Sequence, residues 1–139
     1  MELDEELFIL RASGEVLLHL DIHKFEEKED KLLFGSFISA IMEFAQSSLG
    51  SGIQNLNLKN KNISFLSDKE YEVVIALISQ ESKRKHLTRH LNEIHALFTD
   101  FFDEKTIKEF DGDLSIMKSF SAKLGKRYKR KMDDFFENF

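Results

Sequence analysis

Three spacings in this chain invite a chemical reading. His86, His90 and Glu93 stand at i, i+4 and i+7, so a helix would align two imidazoles and a carboxylate on one side, donors suited to zinc or a similar divalent metal. The set lacks the Glu of H-E-x-x-H and has no fourth donor in register, so it reads as a polar flank beside Leu87, Leu91 and Ile94. Asp111-Gly112-Asp113 opens like a calcium loop, but Ile116 stands where the loop needs Gly and Ala122 where it needs Glu. A turn leading into a helix cap is the simpler reading. Gly50-Ser51-Gly52 follows a helix rather than a strand, and Asn55 occupies the third glycine position of a dinucleotide fingerprint. Gly125-Lys126 has Phe120 and Arg127 where a P-loop needs Gly and Ser or Thr. There is no G-x-S-x-G elbow, and with no Cys there is no thiol nucleophile, disulfide or thiolate metal site. No catalytic residue, cofactor or metal is expected, so the chain is read as a non-enzyme.

The remaining candidate is a contact surface. Lys123, Lys126, Arg127, Lys129, Arg130 and Lys131 are followed by Phe135, Phe136 and Phe139. Basic and aromatic side chains in this order suit an acidic partner or an anionic membrane surface, where each base adds about 1 kcal/mol. Asp133, Asp134 and Glu137 oppose the membrane reading. The structural alternative is that Phe135 and Phe139 pack back onto the domain while the bases stay solvated. Residues 1–30 hold ten acids against three bases, while residues 118–131 hold seven bases and no acid, so the acidic residues 1–6 can meet this segment in a second copy. The overall charge of −5 argues against a general nucleic-acid binder.

These residues need a frame. With 139 residues, 42% hydrophobic and 32% charged, the chain reads as one soluble domain with room for a sizeable core. A basic n-region and an apolar run of membrane-spanning length are both missing, which points to the cytoplasm, with at most peripheral membrane contact. Leu7–Leu10 and Val73–Ile78 are apolar without alternation, as strands covered on both faces are, and they are expected side by side at a sheet centre. Val16–Ile22 alternates and should lie nearer an edge with one wetter face; Ser13-Gly14 supplies the turn before it. Ile53–Leu58 and Asn62–Leu66 read as a hairpin around Asn60-Lys61. Between them and the first pair, the polar stretch His23–Asp30 leads to a helix capped by Asp30 and ended by Gly50 and Gly52. Its residues Leu33, Phe34, Phe37, Ile38, Ile41, Phe44, Ala45 and Leu49 form a wide stripe suited to lying on the sheet. A second helix runs from about Ser82 to Phe102, a polar link spans Asp103–Asp111, and Asp113 caps a last helix that overhangs or bends at Gly125. The expected fold is α+β: a five-stranded antiparallel sheet, order ββαβββαα, sandwiched between helices as a three-layer α/β/α arrangement. It divides into a domain over 1–124 and a basic-aromatic helical extension over 125–139.

Leu7–Ile22, the helix Leu32–Leu49 and the strand Tyr71–Ile78, taken in that order, resemble the longin domain, a profilin-like fold, over about residues 5–122. The related roadblock domains share ββαβββ but begin with a helix, and only Met1–Glu6 precede the first strand here. The resemblance is to free-standing prokaryotic longin-type proteins. It implies a non-enzymatic scaffold that pairs as a homodimer, or as a heterodimer with another longin or roadblock-type domain. It further implies service to small Ras-like GTPases and to vesicle-trafficking-like assemblies. The alternatives are a small-ligand sensor of PAS, GAF or profilin type, with a polar pocket between sheet and helix, and a roadblock-type GTPase regulator.

Overall fold

The computed structural model describes residues 5–21, 26–27, 32–50, 52, 54–59, 61–79, 84–112 and 115–137, of which 5, 21, 26–27, 32–34, 49, 84–85 and 127–137 are described as backbone only. The strands are β1 (Glu5–Arg11), β2 (Val16–Asp21), β3 (Glu26–Glu27), β4 (Asn55–Asn57), β5 (Asn62–Asp68) and β6 (Val73–Ser79). They form one antiparallel sheet in the order β3-β2-β1-β6-β5-β4. The helices are α1 (Leu32–Phe44), α2 (Arg84–Phe101), α3 (Glu104–Lys108) and α4 (Ser115–Glu137).

The two unbroken apolar runs lie side by side, with Phe8 opposite Ala76 and Ile9 opposite Ile75. Every residue of β6 is buried. Alternation along the strands splits the core in two. Leu7, Ile9, Val73, Ile75 and Leu77 face one way and meet Leu87, Leu91, Ile94 and Phe98 of α2, Ile107 of α3 and Met117, Phe120 and Leu124 of α4. Phe8, Leu10, Val74, Ala76 and Ile78 face the other way and meet Ile38 and Met42 of α1, along with Ile63 and Phe65 of β5. Helices therefore cover both faces of the sheet.

Four expectations need correction. The five strands gain a sixth, because Glu26 and Glu27 within the supposed polar stretch pair with Asp21 and Leu20. The wetter face of β2 is not wet at His19, which is 4% exposed and stacks on Phe8 at 3.7 Å between ring centroids. Its Nε2 donates to Glu6 Oε2 at 3.3 Å, so the imidazole has an aromatic and a carboxylate neighbour on the inner strand β1. The link after α2 contains α3, which Asp103 caps by accepting from the Thr106 N–H at 2.7 Å and which Ile107 anchors in the core. Lastly, the α1 stripe does not lie wholly on the sheet, as the next subsection shows. The caps assigned to Asp30 and Asp113, and the turn residue Asn60, fall outside the described residues. The hairpin itself is closed by the Leu58 N–H donating to the Lys61 carbonyl at 2.8 Å. β2 also carries a bulge: Ile9 faces Leu18 while Leu10 faces Val16, so Leu17 is extra, and Leu17 and Leu18 both enter the α2–α4 core.

Candidate functional site

α1 is seated by two glycines. Gly14, at φ +97°, turns the chain between β1 and β2, and α1 crosses directly over that turn. A Cβ on Gly35 would collide with the Gly14 carbonyl oxygen and lie 2.8 Å from Val16 Cγ2. Only a glycine permits this approach. Seated there, α1 buries Gly35 and Ile38 and turns Phe37 and Phe44 away from the sheet, 46% and 64% exposed. Ile41, half-buried, lies between them on the helix surface, since positions 37, 41 and 44 are one and two turns apart. Glu43 is the one charged residue of α1. The helix is apolar on the side that packs and on the side that does not.

The sheet-facing side of α1 also borders a cleft of about 440 Å³ at the end of the sheet. Its floor includes Leu10, Ile38, Met42 and Val74, and its rim includes Arg11, Ser39, Gln46, Asp68, Lys69 and Glu72. The rim is held from behind. Arg11 Nη2 donates to the Lys108 carbonyl at 2.8 Å, tying the end of β1 to the end of α3, and Nη1 donates to Glu15 Oε2 at 3.3 Å. The Ala12 N–H donates to the Glu72 carbonyl at 2.9 Å and joins the two turns. Asp68 accepts from the Tyr71 N–H at 2.9 Å and from His95 Nε2 at 2.7 Å. Burial alone would raise the Asp68 carboxyl, but these hydrogen bonds, the His95 charge and the Glu70 N–H hold it below the usual carboxylate range. The Tyr71 hydroxyl donates to the Phe102 carbonyl at 2.8 Å; its burial, with Glu70, Asp68, Asp103 and Glu104 nearby, pushes its ionisation above the ordinary value.

The residues singled out by spacing are scattered. The His86 and His90 rings sit 4.4 Å apart on α2, and among the described residues no group of three or more His, Cys, Asp or Glu could hold a metal. Gly50, at φ +68°, ends the helix, its N–H reaching the Ala45 and Gln46 carbonyls. Gly112, at φ +95°, forms a turn. Lys123 lies 5.5 Å from the Phe101 ring centroid, Lys126 is exposed, and Leu124 between them is buried. α4 continues unbroken through Gly125, so Arg127, Lys129, Arg130, Lys131, Phe135 and Phe136 lie on its backbone. Their side chains, and Phe139 altogether, fall outside the described residues. No helix among the described residues is long and apolar enough to cross a membrane. The outer face of α1 and the cleft were the features that spacing missed; the signal for the first was a helix with one charge in thirteen residues.

Compared with known proteins, the chain matches no family model and no curated protein.

Proposed function

We propose that this chain is a non-enzymatic protein-interaction scaffold of longin-like type, acting in small-GTPase regulation or membrane-trafficking-like assembly. The observation that carries the reading is the outer face of α1. Phe37, Ile41 and Phe44 form an apolar, uncharged strip on a helix already seated on its sheet, and contiguous exposed apolar surface of this kind marks an interaction site. The β1–β2 hairpin before α1, three strands after it and helices closing the chain support the longin comparison; the two-residue β3 is an addition to that order. The partner is a second copy or another longin or roadblock-type domain, with a Ras-like GTPase served by the pair.

The test compares the chain with a Phe37→Ser/Phe44→Ser variant by light scattering after size exclusion. Both are also used to capture small GTPases in each nucleotide state. The expected result is association by the native chain, lost in the variant while its circular dichroism is unchanged. A native chain that stays monomeric and captures no GTPase or assembly subunit overturns the reading.

A further inference from the structure

The cleft at the end of the sheet lies on a different side of α1 from the Phe37–Phe44 strip and has a different character. Its floor is made of aliphatic and thioether side chains, and its volume of about 440 Å³ falls in the range of small-molecule sites. Two polar groups on the α1 wall are unengaged: the Ser39 hydroxyl and the Gln46 carboxamide make no hydrogen bond to another described residue. The charged rim is balanced, with Arg11 and Lys69 against Asp68 and Glu72, and two of these four are already committed to partners within the protein. No net field favours an anion or a cation.

The backbone is irregular on both walls. α1 leaves regular geometry in a π-helical turn over Ala45–Leu49, which carries Gln46 to the cleft. Across from it, Glu72 is the one non-glycine at positive φ (56°) among the described residues. π-turns and left-handed non-glycine residues concentrate where a ligand is held. The Glu72 carbonyl is fixed by Ala12, so this wall is built before any ligand arrives.

We infer that this cleft binds a small uncharged amphipathic molecule, with an apolar body on Leu10, Ile38, Met42 and Val74 and a hydroxyl, carbonyl or amide group hydrogen-bonded by Ser39 and Gln46. Taking a fixed charge from water into this balanced site gains no partner that water did not already supply, so charged analogues of one body bind more weakly.

Three probes share one body and differ in charge: benzyl alcohol, benzoate and benzylammonium. Each is titrated into the isotope-labelled full chain while backbone amide resonances are followed. The expected result is saturable movement of the Ser39, Met42, Gln46 and Glu72 amides with benzyl alcohol, and affinities about tenfold weaker for both ions. Met42→Trp fills the cleft and abolishes the response. Gln46→Trp, at an exposed position, does the same and keeps the test intact where the first variant fails to fold. The inference is overturned by an absence of saturation, by equal affinity for the three probes, or by shifts confined to Phe37 and Phe44. It is equally overturned by shifts confined to Asn55, Ser64, Thr88 and Asn92 of the adjoining polar cleft, which shares Gly52 and Ser67 with this one.

Discussion

α1 and α2 lie on opposite faces of one sheet, and their outer sides differ completely. α2 carries Arg84, Lys85, Arg89, Glu93 and Asp100 with its apolar residues; Thr88, Arg89, Asn92, Ala96 and Asp100 are exposed while Leu87, Leu91, Ile94 and Phe98 are buried. Once packed, α2 leaves no large apolar side chain exposed among its described residues. α1 packs Gly35 and Ile38 and still presents Phe37 and Phe44 to the outside. The period of an amphipathic helix is read from contrast between residues. Where contrast disappears, as in α1, every apolar position looks like core, and the surplus is visible only once the sheet has claimed its share. The surplus is where a partner is expected.

The sharpest way to break this comparison is to truncate one phenylalanine on each helix. Phe98 is fully buried and meets Tyr71, Phe102 and Phe120 with ring centroids 5.2 to 5.8 Å apart. Phe98→Ala is expected to destabilise the chain by about 3–5 kcal/mol. Phe44→Ala, at a concentration where the chain is monomeric, is expected to change stability by less than about 0.5 kcal/mol. Urea denaturation of both variants measures the difference; equal losses would mean that the outer face of α1 belongs to the fold rather than to an interface.

The next effect concerns how α1 is held. Alanine is the better helix former by about 1 kcal/mol, so propensity alone has Gly35→Ala stabilising the chain. The Gly14 carbonyl oxygen on the facing turn blocks the added methyl, and a backbone atom cannot rotate aside. The expected outcome is a loss of about 1–3 kcal/mol in the same denaturation experiment. A gain would show that α1 sits further from the turn and that the cleft wall is not fixed.

Legibility followed contrast elsewhere as well. β1 and β6 were readable as central because Leu7–Leu10 and Val73–Ile78 contain no polar residue, and a strand covered on both faces needs none. The α2 stripe was readable because charged residues interrupt it. The burial of His19 leaves no signal in the sequence, because its stacking on Phe8 and its hydrogen bond to Glu6 depend on residues brought together across the sheet. The bulge at Leu17 shifts register without leaving a composition signal. α3, with five residues, is shorter than two turns and shows no period. The cleft is assembled from two turns and a helix far apart in the chain, so no window of sequence contains it.

The smallest expected effect separates the two sides of the molecule by pH. Asp68 ends β5, lines the cleft on the α1 side and is held by His95 of α2. Its folded carboxyl lies below the ordinary value of 3.8, so as pH falls the unfolded chain binds this proton first. The stability contributed by the ionised Asp68 is therefore complete above that value and drains away as pH falls through the folded one. His95 is 30% exposed, so solvent screens the pair and the slope is shallow. Comparing urea midpoints at pH ~5 and pH ~3, Asp68→Asn is expected to lose less stability on acidification than the native chain. Identical losses would mean that the hydrogen bonds from His95 and the Tyr71 N–H do not favour the ionised form. The polar ties at that end would then be the Tyr71 hydroxyl bond to the Phe102 carbonyl and the Arg11 bond to the Lys108 carbonyl, beside apolar packing.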